Sequence, residues 1–150
     1  MSDVISGKPP TSFWIIGGVA LVWNLIGLML YYMQVSATPE MLAAVYSEAE
    51  YEFLVSIPIW ATTAHAIAVT AGVLGCILLL MRNAWAMPVF IVSLIGILVQ
   101  DIYSFVIANG IEVWGVGVII LPIVVLVIAI GLVFYSRSAK DQWGRTSITY

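Results

Sequence analysis

The stretch that decides the fold is IPIWATTAHAIAVTAGVLGCILLLMRNAWAMPVFIVSLIGILVQDIYSFVIA, residues 57–108, in which two long apolar runs flank a polar turn at Arg82 and Asn83. An α-helix rises about 1.5 Å per residue and the hydrocarbon core of a bilayer is about 30 Å thick, so roughly 20 apolar residues can cross a membrane. Each run is long enough. Because the turn between them is so short, the stretch predicts two antiparallel transmembrane helices.

The flanking sequence extends this hairpin to four predicted spans, at residues 13–33, 57–81, 84–108 and 113–135. Hydrophobic residues make up 63% of the chain and charged residues 9%, against about 45–50% and about 25% in soluble domains. We therefore predict an all-α membrane protein, a single domain over residues 1–150. Its architecture is an up-and-down bundle of four transmembrane helices with short cytoplasmic tails.

Several functional classes are excluded by what the chain lacks. A net charge of −3 with five scattered basic residues argues against nucleic acid as a partner. Cys76 is the only cysteine, so the chain can form no internal disulfide. With one histidine and no phosphate-binding loop, we predict no metal, no cofactor and no ATP-driven step.

The basic residues give the predicted orientation, because cytoplasmic loops carry an excess of lysine and arginine. On one side of the four predicted spans lie Lys8, Arg82, Arg137, Lys140 and Arg145. The other side carries only acidic charges, at Glu40, Glu48, Glu50, Glu52 and Glu112. Both termini are therefore predicted to be cytoplasmic. Val35-Ser36-Ala37 resembles a signal-cleavage site, but span one exceeds the signal core of about 7–15 residues, so we predict a retained anchor.

The segment between spans one and two, residues 38–53, is predicted to form a short amphipathic external helix. Thr38, Pro39 and Glu40 have the order of an N-cap, a first-turn proline and an early acid. Apolar residues then recur near helical spacing. Two interpretations stay open, a cap over the helix ends and an acidic vestibule that gathers cations or polyhydroxylated solutes.

Polar residues inside the spans are the candidate binding site: Asn24, His65, Gln100 and Asp101. Counted from the predicted outer ends, Asn24 lies at about 14 Å, His65 at about 12 Å and Asp101 at about 10 Å, which predicts one shared layer. Because an intramembrane carboxylate needs a partner, we expect Asp101 to pair with His65. The layer is either a substrate-binding or proton-linked pocket, or a set of interhelical hydrogen bonds that fixes helix register.

Small residues recur at helical spacing and are predicted to let helices approach closely. The predicted packing positions are Gly17, Ala20, Gly27, Gly72, Gly75 and Gly96. The fourth span is aliphatic on almost every side, so it is predicted to be the most lipid-exposed helix. Pro122 is expected to kink it.

The run from Ile57 to Gly96, with NLIGLMLYYMQ at residues 24–34, resembles small four-helix bacterial inner-membrane proteins that carry the label sugar transporter. The resemblance implies a bacterial inner-membrane location and the same four-span layout. It transfers no binding residues to this chain.

Two functions remain open from the sequence. The first is a small-solute transporter or transporter subunit that works as a homo-oligomer, with the predicted polar layer as its pocket. The second is a non-transporting accessory subunit of a larger membrane complex. A membrane enzyme acting on lipid would need His65 and Asp101 as its acid-base pair, and we predict that the chain is not an enzyme.

Overall fold

The computed structural model describes residues 8–146, with side chains described for residues 8–142. This part of the chain is helical and contains no strand. The helices, in chain order, are α1 (Thr11–Ser36), α2 (Pro39–Val45), α3 (Glu48–Val55), α4 (Ile59–Leu80), α5 (Ala86–Ile102), α6 (Gly110–Trp114) and α7 (Ile120–Thr146). A π-helical turn, Tyr103–Ile107, extends α5, and a 3-10 turn, Val116–Ile119, precedes α7.

Four helical stretches are long and apolar enough to cross a membrane, and they begin and end at Thr11–Ser36, Ile59–Leu80, Ala86–Ile107 and Val116–Gln142. The predicted all-α class with four such helices is therefore confirmed for the described residues. The fourth stretch is the least buried of the four, as predicted. It also runs past residue 135, so Arg137 and Lys140 lie on the helix and not in a tail.

The four long helices form a row in which α1 packs on α4, α4 on α5, and α5 on α7. Each neighbouring pair is antiparallel. For example, Gly17 and Tyr31 of α1 lie against Leu80 and His65 of α4. The row curls, and side chains of all four helices meet in one core: Phe13, Ala20, Cys76, Leu79, Ala86, Phe90, Leu132 and Ala139.

Two ends of the bundle carry opposite charge. The basic end holds the start of α1, the turn between α4 and α5, and the end of α7, with Lys8, Arg82, Arg137 and Lys140. The acidic end holds α2, α3 and α6, with Glu40, Glu48, Glu50, Glu52 and Glu112. Arg145 lies outside the residues whose side chains are described.

The turn at the basic end closes the α4 and α5 hairpin through its backbone. The Arg82 amide donates to the Leu79 carbonyl at 2.9 Å and the Asn83 amide to the Leu78 carbonyl at 2.8 Å. This is the Schellman pattern, and Arg82 takes the left-handed conformation in it, with a φ of 58°. The side chain of Asn83 then accepts from the Trp85 amide at 2.9 Å, which leads the chain into α5.

The external segment forms two helices and not the single helix that was predicted. α2 begins after Thr38, as expected, and the Thr38 hydroxyl accepts from the Met41 amide at 3.4 Å. The chain then breaks at Tyr46, because Ser47 starts a new helix with a capping box. The Ser47 amide donates to the Glu50 carboxylate at 2.8 Å, and the Glu50 amide donates to the Ser47 hydroxyl at 3.4 Å.

Pro122 does not kink the interior of α7, so that prediction is wrong. α7 begins at Ile120, which places Pro122 in the first turn. The amides of the first turn have no partner within the helix, so a proline there removes no hydrogen bond.

Candidate functional site

Asn24 packs against the middle of α4. Its side-chain nitrogen donates to the Ala20 carbonyl at 2.9 Å and to the sulfur of Cys76 at 3.5 Å. Its amide oxygen lies so close to Gly72 that a Cβ at that position would overlap it. Asn24 therefore joins α1 to the middle of α4.

His65 lies at a different level of the bundle. Its ring packs edge-on against Tyr31 of α1, with 5.0 Å between ring centroids and an angle of 72° between the ring planes. Tyr31 follows Asn24 by seven residues on the same helix, so the His65 contact lies about 10 Å closer to the acidic end than Asn24.

Gln100 and Asp101 lie further still toward the acidic end. Gly96 packs against the backbone of Ala64 and Ala68, so His65 is level with about Gly96 on the neighbouring helix. Asp101 comes five residues later in α5, about 7 Å closer to the acidic end. The predicted single layer is therefore wrong, and the polar residues occupy three levels.

The error has a physical cause, because depth was counted from the predicted ends of the spans. α1 continues to Ser36 and places Asn24 further from its end than the sequence indicated. The helices that carry His65 and Asp101 begin and end close to the predicted positions, at Ile59 and Ile107. The outer ends of the helices lie at different levels, so similar residue counts from those ends do not give the same depth.

The expected pair of His65 and Asp101 does not form. Among the described residues, the side chain of Asp101 makes no hydrogen bond and no ion pair, and the Gln100 side chain donates to the Ser104 hydroxyl at 3.2 Å. The two candidate partners sit on different sides of their helices. His65 faces α1, whereas Asp101 follows Ile97 by one turn, on the side of α5 that lines a cavity with α7.

A small cavity of about 30 Å³ lies where the four long helices meet. Asn24 and Ser93 are its polar lining residues, and Trp23, Phe90, Ile97 and Leu132 are among its apolar ones. Ser93 is buried and donates to the Ala68 carbonyl at 2.7 Å. A cavity of this size holds about one water molecule and no organic solute.

Most of the predicted packing positions lie where two helices approach closely. A Cβ at Gly17 would meet Leu80, and one at Gly75 would meet the Phe90 ring at 2.7 Å. At Gly96 it would meet the Ala64 carbonyl oxygen at 2.8 Å. Ala20 is buried beside Asn24.

Gly27 is the exception among these positions. Outside the backbone of its own helix, a Cβ there would meet no atom within 4 Å, so among the described residues no other helix packs against Gly27. Gly27 lies between the levels of Asn24 and Tyr31, and no side chain of α4 fills the space above it. Gly18, Gly117 and Gly131 are open in the same way.

The acidic end is covered by a cluster of packed aromatic rings. The Trp114 ring lies edge-on to Tyr46 at 5.6 Å and to Phe53 at 6.1 Å between centroids. Trp60 packs edge-on against Tyr103 at 5.2 Å, and the Tyr103 hydroxyl donates to the Ser56 carbonyl at 3.4 Å. These contacts seat α2, α3 and α6 on the ends of the long helices, which fits the predicted cap.

Among the described residues, no three His, Cys, Asp or Glu side chains lie close enough together to hold a metal ion. The acidic end therefore has no metal-binding cluster in this part of the chain. Glu40 is fully exposed. A hydrogen bond to its own backbone and a second to the Thr38 side chain lower the pKa of Glu40 from its ordinary value of 4.5. These bonds stabilise the start of α2.

A groove of about 560 Å³ runs between α1 and α7, the two helices at the ends of the row. It is open on one side and its walls are almost entirely apolar. The sequence analysis missed it, because hydropathy alone does not show which apolar side chains stay unpaired after the helices pack. The larger side chains along it are Ile15, Val19, Trp23, Ile128 and Tyr135.

No family model, no curated protein and no solved structure matches this chain. The interpretation of the site therefore rests on the geometry of its own side chains.

Proposed function

We propose that this chain is a non-transporting accessory subunit of a larger membrane complex, and that it acts through the outer faces of its four-helix bundle. The observation that carries the proposal is the size of the central cavity, about 30 Å³. Sites for small organic ligands have volumes of about 300–1,000 Å³. The bundle offers surfaces to other helices, and no space for a solute at its centre.

The partners of the intramembrane polar groups support the same proposal. Asn24 bonds within α1 and to Cys76, Ser93 bonds to the backbone of α4, and Gln100 bonds within its own helix. The bonds from Asn24 to Cys76 and from Ser93 to Ala68 join two helices, and such bonds fix helix register. These side chains are not free to coordinate a substrate.

The charge at the two ends supports a bacterial inner-membrane location with both termini in the cytoplasm. Positive residues are retained on the cytoplasmic side during insertion, and the described lysines and arginines all lie at one end. The resemblance of residues 57–96 to small bacterial inner-membrane proteins adds to this proposal.

Gly27 marks the surface through which we expect α1 to meet a partner helix. It is a small residue with open space around it, and its neighbours Ile26 and Leu30 are exposed. Small residues let transmembrane helices approach closely enough for van der Waals packing.

The test is purification in mild detergent from cells that express the tagged chain at its native level. We expect a defined partner to be retained by the wild type and by Gly18→Leu, and to be lost in Gly27→Leu. The two glycines lie on opposite sides of α1 and both are open, so the pair separates a surface effect from a folding effect. The proposal would be contradicted if Gly27→Leu retained the partner. It would also be contradicted if the wild type were purified without any partner.

Transport by a homo-oligomer is the second candidate, and Asp101 favours it. A half-buried intramembrane carboxylate without a partner among the described residues is costly unless water or another chain reaches it. If copies of the chain enclose a route along Asp101, Asp101→Asn should abolish solute uptake into reconstituted vesicles while the protein stays folded. Equal uptake with and without the carboxylate would remove this candidate.

A further inference from the structure

Polar groups of two helices meet above a glycine of a third in the small central cavity. The Ser93 hydroxyl oxygen of α5 lies 3.4 Å from the position that a Cβ would take at Gly72 of α4. The Asn24 amide oxygen of α1 lies so close to the same position that the two atoms would overlap. Both side chains line the cavity of about 30 Å³ where the four long helices meet. Glycine at position 72 therefore leaves room for two oxygens of different helices to face one space.

The Asn24 amide oxygen accepts no hydrogen bond from any group in the described part of the chain. The two bonds of this side chain, to the Ala20 carbonyl and to the Cys76 sulfur, both start from its nitrogen. No side-chain oxygen or nitrogen among the described residues is both sealed from water and without a partner. The Asn24 oxygen must therefore lie within reach of a water molecule. Without one it would be costly, because an acceptor in the membrane interior needs a donor.

Ser93 supplies a second acceptor beside the first. Its hydroxyl already donates to the Ala68 carbonyl at 2.7 Å, which leaves the lone pairs of its oxygen free to accept. Asn24 and Ser93 form no hydrogen bond with each other. Two acceptors that face one space need a donor between them. A water molecule has two donor hydrogens, and hydrogen bonds of about 2.8 Å on each side let it span both oxygens.

The remainder of the lining excludes other occupants. It is apolar apart from Asn24 and Ser93, with Phe90, Ile97 and Leu132 among its side chains. No charged side chain of the described residues lines the cavity, so nothing there would neutralise an ion. The volume is sufficient for about one water molecule and too small for an organic ligand.

We propose that this cavity is a binding site for one structural water molecule, which donates to the Asn24 amide oxygen and to the Ser93 hydroxyl oxygen. The water joins α1 to α5, two helices that α4 separates in the row. The bond from Ser93 to Ala68 adds α4 to the same set of contacts. This polar contact of three helices does not depend on the accessory role proposed for the outer faces of the bundle.

The test detects water beside named side chains by magic-angle-spinning NMR of the isotope-labelled protein in lipid vesicles. Magnetisation passes from water protons to the protein during a short mixing time, and its arrival at each side chain is recorded. We expect transfer to Asn24 and Ser93 to be several-fold stronger than transfer to Ser136. Ser136 is the internal control, because it is also buried, with 1% of its surface exposed, and its hydroxyl donates within α7 to the Val133 carbonyl.

Two variants test whether Ser93 holds the water. Ser93→Ala should abolish the transfer to Asn24, because it leaves the water one polar partner in place of the two to four that buried waters have. Ser136→Ala is the matched control. It removes a buried hydroxyl that does not line the cavity, so it should leave the transfer to Asn24 unchanged.

Two results would overturn the proposal. The first is a wild type in which Asn24 and Ser93 receive no more magnetisation than Ser136, and this result does not depend on whether any variant folds. The second is unchanged transfer to Asn24 in Ser93→Ala, since water would then reach Asn24 without the second oxygen.

Discussion

The side-chain amide of Asn24 donates to the sulfur of Cys76 at 3.5 Å, and this contact fixes the register of α1 against α4. Cys76 is fully buried, with 0% of its surface exposed. The same amide lies over Gly72, so a polar group of one helix meets a glycine of the other. The first two predictions follow from this close approach and from the similar one between α4 and α5.

Gly72→Ala should destabilise the bundle by about 1–3 kcal/mol, because the new Cβ would overlap the Asn24 amide oxygen and force the helices apart. Gly18→Ala is the matched control. Its Cβ meets no atom within 4 Å, and alanine favours a helix by about 1 kcal/mol over glycine. Titration with a denaturing detergent measures the free energy of unfolding of both variants. Equal stability of the two variants would contradict the packing described for Asn24.

Gly96→Ala should lower the free energy of unfolding of the bundle more than Gly75→Ala does. A Cβ at Gly96 would meet the Ala64 carbonyl oxygen at 2.8 Å and backbone nitrogen of Ala68 at 3.0 Å, whereas one at Gly75 meets the Phe90 ring. A ring can turn aside, but a helix backbone must move as a whole. The same detergent titration shows which of the two variants is less stable. If Gly75→Ala were the less stable one, α4 and α5 would have to pack in another register.

The sequence was sufficient for the number of long helices and for the sorting of charge to the two ends, because both depend on composition averaged over about 20 residues. It was not sufficient to predict the level of each polar residue along the bundle. Asn24, His65 and Asp101 were assigned a common layer, but their levels depend on where each helix ends. The end of the first span differs most from its predicted position, since α1 continues to Ser36 and not to residue 33.

Local signals that were present in the sequence explain two further differences. Ser47 and Glu50 have the spacing of a capping box, and that pattern marks the start of α3. Gly115, with a φ of 80°, separates α6 from the fourth long helix and moves the start of that helix past residue 113. The groove between α1 and α7 had no such signal, since only the packed structure shows which apolar faces remain open.

Ser47→Ala should loosen the first turn of α3 by about 1 kcal/mol, because it removes the hydroxyl that accepts from the Glu50 amide. Hydrogen exchange of the amides from Glu48 to Tyr51 measures the effect. Ser56→Ala is the control, since the Ser56 hydroxyl donates to the Phe53 carbonyl and caps no helix start. Unchanged exchange at the start of α3 would contradict the capping box.

Glu40 should titrate below its ordinary pKa of 4.5, since hydrogen bonds to its own backbone and to Thr38 favour the ionised carboxylate. Its contribution to the start of α2 is therefore present above pH 4.5 and lost as the pH falls through the lowered pKa. NMR titration of the Glu40 carboxyl carbon measures the shift. Thr38→Ala should move the pKa upward, and a titration that Thr38→Ala leaves unchanged would contradict this account of the cap.

The central claim is that, in the described part of the chain, the four long helices close on one another around Cys76 and leave at their centre a cavity of only about 30 Å³. The most direct test is labelling of this single native cysteine with a small charged thiol reagent, added to both sides of reconstituted vesicles. Ser56→Cys, on the exposed connection before α4, serves as a reactive control. We expect no labelling of Cys76 until the protein is unfolded in detergent, whereas labelling of Cys76 in the folded protein would contradict the closed bundle.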